Sequence, residues 1–475
     1  MCKINSNTAN VLSGIQEKHP NLGIKVFRPE GDLKSSKPDN DVSRALNLIK
    51  LSGNAIFISE PKIRGEELAG QLLSHLFKDR PGCQVVQVDI SALIDADKKQ
   101  AELNFQNIIQ DIQASAGKAV LFITSLACAL KDKGIVSVLC DSVTQKSIPI
   151  LSVVDMNEFR ALEEVPELSG FFQFVLAGKN NVCGKRNKAV LIIGASSLFG
   201  NTVYRLFMQQ YQAVAGTGFK KASAMGFDRL DVTSSEEIET YFSKHNTFDI
   251  IIYIAGEANA DIAEKERERT HALNVDAVSQ IAKYAKNCKF VYISSEYVFD
   301  GSRGPYGSGS KAQPINYYGC TKLEGEKISL KSFPGSLIIR LGALYGYNGP
   351  YDKETTVSKL IASLNKPEPL KADNVQIKHP LLLGDAAGAL LKLLDYGASG
   401  IYQVNGPEGL DKQEMAERIA KVKSRISGKA FSYPIIGVEQ PGVAAKPLNT
   451  HMVNVDTPRP FEEGIAFMLN QQRAE

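Results

Sequence analysis

Short runs of β-branched and apolar residues recur along the whole chain, separated by segments in which apolar positions return at helical spacing. In the first 185 residues these runs are NAIFIS, CQVVQVDI, KAVLFIT, IPILSVV and FQFVLAG, each the length of a buried strand. Between them FQNIIQDI sets Phe105, Ile108, Ile109 and Ile112 on one helical face. The polar stretch GKNNVCGKRNK, residues 178–188, interrupts the pattern and reads as a linker. The alternation then resumes with NKAVLIIG, YQAVAGTG, FDIIIYIAG and KFVYISS as strands. Strand and helix in alternation predict an α/β protein of two doubly wound domains, residues 1–180 and 186–475. A length of 475 residues fits two or three domains.

Composition narrows the function class mainly by exclusion. A formal charge of +3 with no basic tract gives no electrostatic case for nucleic acid or a membrane surface. The longest apolar stretch, AVLFITSLACAL, falls short of the roughly 18 residues a bilayer span requires, so a soluble protein is expected. The start, MCKINSNTANVLSG, lacks the apolar segment of a secretory signal. Seven cysteines without CxxC spacing predict reduced thiols in a cytoplasm, with neither a disulfide frame nor a metal site.

The candidate chemistry begins at NKAVLIIGASSLFG, residues 187–200. A strand ending at Gly194 and a helix beginning a few residues later form a turn whose backbone N–H groups can face a pyrophosphate. Gly200 lets the helix pack closely on the strand. Ser197 stands where a middle glycine is usual, and its hydroxyl is placed to donate to the phosphate; an ordinary βα turn is the competing reading. After the second strand come Phe219, Lys220 and Lys221, where an NAD-preferring site would carry an acid. Two cations there favour the 2′-phosphate of NADP(H) over the ribose hydroxyls of NAD, unless they form a plain solvated turn. Asp231 ends the next strand near an adenine amino group, and Ala255 and Gly256 leave room for a cofactor across the fourth. Asn274, in HALNVDAV, reads as a structural residue.

The sheet's carboxyl ends are where such a fold binds ligands, and there KFVYISS ends in Ser295, with YGCTK following at Tyr318 to Lys322. On its own a Tyr and Lys four apart is a common surface pair. In this setting Tyr318 is a general acid or base whose ordinary pKa of about 10 needs lowering. Lys322, one helical turn on, supplies a positive charge that favours phenolate and can bind the nicotinamide ribose. Ser295 would hydrogen-bond the carbonyl oxygen of a ketone being reduced.

GASSLFG, YIAGEA, YISSEYVFDG, PINYYGCTKLEGE and RLGALYG, in this order and spacing, resemble the extended short-chain dehydrogenase/reductases. Within them SSEYVFDGSRGPY followed by PINYYGCTKLEGE is similar to the dTDP-4-dehydrorhamnose reductase branch, which also holds the regulatory beta subunit of methionine adenosyltransferase. The resemblance spans about residues 187–473. It implies an NADP(H)-binding Rossmann domain with a small C-terminal substrate lobe, a nucleotide-sugar carbonyl substrate, and Ser295, Tyr318 and Lys322 as the catalytic trio. By motif position it puts Ser196, Ser197, Leu198 and Phe199 at the phosphates, Phe219, Lys220 and Lys221 at the 2′-phosphate, and Leu230 with Asp231 near the adenine. Ile254, Ala255 and Gly256 line the cofactor, and Tyr318 and Lys322 touch its nicotinamide half. The substrate half departs from the pattern: VQIKHPLLLGDAAGAL and AAKPLNTHMV replace segments that usually carry arginine and threonine, leaving His379 and Lys446 as candidate replacements. An oligomer is expected. The alternative function is a catalytically silent NADP(H)-binding regulatory or scaffold subunit.

The first domain resembles the first nucleotide-binding domain of Clp-type AAA+ unfoldases with its chemistry removed; an unrelated flavodoxin-like domain is the other reading. ISEPKIRGEELAGQL, residues 58–72, stands where a phosphate loop is expected, yet Gly65 and Glu66 occupy the places of its Lys and Ser or Thr. Thr124 and Ser125 replace an Asp and Glu pair, and Gly170 and Phe171 replace arginine fingers. These losses predict a domain without ATPase activity that docks a protein partner.

Overall fold

The structure is a computed structural model. It describes residues 15, 17, 22, 24–27, 40–60, 62–78, 83–115, 118–146, 148–170, 172–178, 184–245, 248–347, 354–366, 368–428, 434–439 and 442–474. The chain divides into two compact units, Met1–Gly178 and Lys179–Glu475. The opening segment read for a leader, Phe171, and residues 179–183 of the linker lie outside the described residues, and Arg186 to Lys188, read as linker, already belong to a strand.

In the first unit every apolar run becomes a strand: β2 (Asn54–Ile58), β3 (Gln84–Asp89), β4 (Ala119–Thr124), β5 (Ile150–Val154) and β6 (Phe174–Leu176). They lie parallel in the order β3-β4-β5-β2-β6. An edge strand the apolar pattern did not announce, β1 (Ile24–Phe27), pairs antiparallel with β3. Its four residues alternate, Ile24 and Val26 turned inward and Lys25 and Phe27 exposed, but with only Ile24 fully buried the run is too short and too wet to stand out. Helices α1 (Asn40–Ser52) and α2 (Lys62–Lys78) pack on one face through Val42, Leu48, Leu68 and Leu72. In α3 (Ala101–Ala114) the four apolar positions noted above are all buried.

At the place read as a lost phosphate loop, β2 ends at Ile58 and α2 already begins at Lys62. Gly65 lies inside that helix, so close to the sheet that a Cβ would sit 2.5 Å from a Val153 methyl. Lys62 Nζ is 2.8 Å from Glu158, which with Asp155 forms the capping box opening α4 (Met156–Glu163). This end of the sheet is therefore closed by its own cap and ion pair.

The second unit holds a seven-stranded parallel sheet in the order β16-β12-β11-β10-β7-β8-β9. Its strands are β7 (Arg186–Ile193), β8 (Tyr211–Gly218), β9 (Asp228–Arg229), β10 (Ile250–Tyr253), β11 (Lys289–Ser295), β12 (Leu337–Leu341) and β16 (Gly400–Val404). The chain winds outward from β7 in one direction and from β10 in the other, so the order reverses between them, where ligands bind in open α/β sheets. Buried tyrosines and phenylalanines fill one face, Tyr253 and Tyr292 stacking at 6.0 Å and Phe290 and Phe333 at 3.9 Å. A smaller lobe collects around α5 (Thr356–Ser363), α6 (Lys412–Ser427) and α7 (Phe461–Ala474), with the parallel pair β14 (Leu370–Asp373) and β17 (Ile435–Val438) at its rim. Among the described residues no helix is long and apolar enough to cross a membrane.

Candidate active site

At the switch point β7 delivers Gly194, whose φ of +96° only glycine adopts without strain. A Cβ there would lie 2.6 Å from the Ala255 nitrogen at the end of β10. The turn leads into α8 (Leu198–Gln210), with Ser197 as N-cap. The Ser197 hydroxyl accepts from the Gly200 N–H at 3.1 Å and donates to the Gly194 carbonyl at 2.7 Å. Its proton is thus used to close the turn, where the sequence had suggested donation to a phosphate. Ser196 and Leu198 are half-buried at the mouth, and Phe199 and Gly200 are buried behind it.

Phe219, Lys220 and Lys221 stand exposed where β8 ends. Arg229, which sequence reading passed over, places its guanidinium 5.0 Å over the Phe219 ring while Glu237 holds it through two hydrogen bonds of 2.8 and 2.9 Å. Leu230 is buried and Asp231 half-buried just after β9. One Asp231 oxygen is taken by the N–H and hydroxyl of Thr233, which fixes the turn. Ile254 and Ala255 are half-buried and Gly256 exposed beyond β10.

Across the switch point, β11 ends in Ser295 and α9 (Tyr317–Ser332) begins with the motif. Asn316 caps this helix, accepting from the Gly319 N–H at 2.8 Å. The helix can lie on β11 because Gly325 has no side chain: a Cβ would come within 2.5 Å of the Tyr292 phenol carbon. Tyr318 and Lys322 share one face a turn apart. Ser295, Tyr318 and Lys322 are 8%, 8% and 6% exposed, and the Ser295 hydroxyl lies near enough to the Tyr318 phenol to favour its ionised form. Lys322 Nζ sits 4.1 Å over the Tyr292 ring.

Burial, not the lysine, dominates the electrostatics. The Tyr318 phenol is pushed up to about 12 by desolvation, partly offset by Ser295 and reinforced by Tyr297 and Glu296. The Lys322 ammonium is pulled down to about 7, again by desolvation, against the attraction of Glu326. The expectation that Lys322 holds the tyrosine below its ordinary value is thus reversed here: the same apolar walls penalise both charged forms.

Two buried networks fix the helix. Glu326 accepts from Arg340 at 2.9 and 2.8 Å and from Ser294 at 2.5 Å. Asn274, wholly buried, donates to Thr321 at 2.9 Å and accepts from the Glu257 N–H at 3.0 Å, tying the end of β10 to α9. It lies in a π-helical turn, Ala272–Asp276, whose displaced carbonyls at Leu273 and Asn274 accept from the Tyr253 and Tyr292 hydroxyls.

On the substrate side the structure replaces one candidate. His379 is buried against His451, the rings stacked at 4.7 Å, with Nε2 3.2 Å from Asn449 Oδ1, and it is not among the residues lining the adjacent cavity. Its neighbour Lys378 takes the place, with Nζ 2.9 Å from Glu296 and 3.0 Å from the Tyr297 hydroxyl. Adjacent residues of an extended segment face opposite ways, a signal that applied to KHP would have offered Lys378 beside His379. Lys446 belongs to a strap, residues 442–449, that crosses the site. Ala444 of the strap is buried in one apolar cluster with Tyr318, Ala260 and Ala263, and its N–H donates to Asp261 at 2.8 Å. Asn316 donates to the Ala445 carbonyl at 2.8 Å.

A dinucleotide-type turn at the switch point and a serine–tyrosine–lysine cluster on the adjoining strand and helix define an extended Rossmann-fold domain. The family model described as the RmlD substrate binding domain matches residues 188–472, and the chain belongs to this family. It is 30% identical over 299 residues to methionine adenosyltransferase 2 subunit beta of Mus musculus, covering 60% of this chain and 87% of that one. It is 29% identical to the probable low-salt glycan biosynthesis reductase Agl14 of Haloferax volcanii, over 49% of this chain and 79% of the relative. The fold matches a dTDP-4-dehydrorhamnose reductase of Bacillus anthracis solved with NADP, at a TM-score of 0.52 and 24% identity, covering 61% of this chain and 99% of that one.

Proposed function

We propose that the second unit is an NADP(H)-dependent reductase acting on a carbonyl compound, a 4-keto nucleotide sugar by the chemistry of its family. The observation that carries this reading is the buried cluster of Ser295 beside Tyr318, with Lys322 one turn away on the same helix. The cofactor fits the residues present: Gly194 lets the turn lie directly against the backbone at the end of β10, where a Cβ would meet Ala255, and Lys220 and Lys221 offer cations at the edge of β8. Gly194 to Gly200 would hold the pyrophosphate, Phe219, Lys220 and Lys221 the 2′-phosphate, Leu230 and Asp231 the adenine, and Ile254 to Gly256 the face of the dinucleotide. When bound, the reduced nicotinamide supplies a hydride.

Ser295 orients the carbonyl oxygen and Tyr318 Oη donates its proton to that oxygen. A phenol pushed up to about 12 keeps that proton throughout the physiological range, which suits an acid in the reductive direction. Lys322, when it carries its proton, stabilises the phenolate left behind.

The experiment is NADPH oxidation across dTDP-, UDP- and GDP-linked 4-keto sugars. Tyr318→Phe lowers turnover by about 10²- to 10⁴-fold with NADPH affinity retained; turnover unchanged in that variant refutes the role.

A second reading has its own support: an NADP(H)-binding subunit without turnover. Tyr318 is buried in one cluster with Ala444, and the relative in Mus musculus is a subunit of methionine adenosyltransferase 2. NADPH binding without oxidation of any panel member selects it. For the first unit we propose a non-catalytic docking domain of degenerate AAA+ type. Helix α2 begins at Lys62, only four residues after β2 ends at Ile58, and Lys62 is paired with Glu158 at 2.8 Å. ATP hydrolysis by the purified chain would refute it.

A further inference from the structure

Beside Tyr318 the small lobe encloses a cavity of about 170 Å³. Its wall includes Tyr297, Thr356, Gln376, Lys378, Lys412 and Lys446, and no carboxylate is among the described residues lining it. The three lysines come from separate parts of the chain: the segment after β14, the start of α6, and the strap. Convergence of like charges on one small space is unfavourable unless something offsets it.

The acids nearby offset it unequally. Lys378 is held at 2.9 Å by the buried Glu296 and by the Tyr297 hydroxyl. Lys412 is 3.9 Å from Asp373, and Lys446 is 3.8 Å from Asp261, both at the outer limit of an ion pair. Asp373 spends one oxygen on the Val375 and Gln376 N–H groups, and Asp261 spends one on Ala444. The Lys412 ammonium sits below the ordinary lysine range, chiefly through burial, with Lys446, Lys378 and Lys359 adding repulsion.

The space is too small for a whole nucleotide sugar, since sites for ligands of that size run to about 300–1,000 Å³. It suits one compact, multiply charged group. Tyr297 stands between it and the proposed proton donor: that ring meets Tyr318 edge-on at 5.6 Å, and its hydroxyl accepts from Lys378.

We propose that this cavity is a subsite for a phosphate or diphosphate group, with Lys378 and Gln376 as fixed donors and Lys412 and Lys446 as cations that leave their distant acids for the ligand. Where that group belongs to the substrate, the proposal rests on the reductase reading and names the residues that anchor the substrate's charged end. Where it is a free anion, the subsite is regulatory, because Lys446 lies on the strap that covers Tyr318.

The test is calorimetric titration of the NADPH-saturated full chain with inorganic pyrophosphate, so that the cofactor turn is not the binding place. One saturable site is expected. Lys412→Gln with Lys446→Gln weakens it about tenfold or more, while Lys412→Arg with Lys446→Arg keeps it within about threefold. Unaltered NADPH affinity in both double variants shows that the fold is intact. Competition between pyrophosphate and a nucleotide sugar assigns the anion to the substrate; saturable binding without competition assigns it to a free effector. No saturable binding at millimolar pyrophosphate, or equal affinity in the Gln and wild-type proteins, overturns the proposal. Failure of the reductase reading shows instead in the NADPH oxidation panel, which leaves pyrophosphate binding untouched.

Discussion

Replacing Lys322 with Met should stabilise the protein while removing its proposed chemistry, and the gain should grow as pH falls. The buried ammonium is pulled from an ordinary 10.5 down to about 7. Each tenfold loss of proton affinity corresponds to about 1.4 kcal/mol, so the wild-type penalty approaches 5 kcal/mol as an upper bound. Relaxation and water entry reduce this, and about 2–3 kcal/mol is the working expectation. The sign follows from proton binding. Between about 7 and 10.5 the unfolded chain holds the proton and the folded chain does not, so wild-type stability rises with pH across that window. Below it the full penalty is present; above it none remains. Methionine matches the length of the lysine stem and carries no charge, so the variant lacks the penalty at every pH. The second unit runs from 179 to 475, or 297 residues, and at about 2 cal/mol/K per residue its unfolding entropy is about 0.6 kcal/mol/K. The expected rise in Tm is therefore about 3–5 °C at pH 6, shrinking toward zero near pH 10. Differential scanning calorimetry from pH 6 to 10, following the second unit's transition, measures it. A variant less stable than wild type at pH 6, or a gain that does not shrink with rising pH, refutes the reasoning.

Three further outcomes follow from the same structure. Arg340→Met leaves Glu326 buried without its partner and costs about 3–5 kcal/mol, while Glu326→Leu with Arg340→Met recovers most of it in calorimetry; equal losses in both would contradict the pairing. Lys220→Ala with Lys221→Ala weakens NADPH by about tenfold or more and NADH by less than about twofold in fluorescence titration, since only NADPH carries the 2′-phosphate. The His451 ring is pulled down to about 4 by burial and by His379, so the unfolded chain gains its proton first as pH drops. Stability present above about 6.5 is then lost toward pH 4, and His451→Phe flattens that limb of the melting profile, by at most about 1.4 kcal/mol per pH unit.

The strands were readable because they are buried on both faces and written as continuous apolar runs; Ile250 to Tyr253 and Ile150 to Val154 are buried at every position. The edge strand Ile24–Phe27 is half wet and carries no such run. The Ser295, Tyr318 and Lys322 cluster was readable because the tyrosine and lysine share a helical face and a known strand order brings the serine to it. Its electrostatics were not, since the pKa directions depend on walls contributed by Tyr292, Tyr297 and the strap, remote in sequence. The substrate side was least legible. Lys378 and His379 are neighbours, and only the path of the chain decides which enters the cavity and which stacks on His451. Arg229 escaped for a similar reason, being set over Phe219 by a strand of two residues.

The strap also bears on when, during synthesis, the site can come into being. Ala444 docks on Asp261 across 183 residues of chain, and the edge strand β16 joins the sheet only at Gly400–Val404. Every earlier part of the cluster, from Gly194 to Lys322, emerges from the ribosome well before the segment that roofs it. The first unit has all its described strands by Leu176, and domains of a multidomain chain generally fold as units with the N-terminal one first. A nascent chain therefore presents an assembled first unit while Tyr318 still stands open, so any partner that binds the first unit during translation meets the protein before its site is covered.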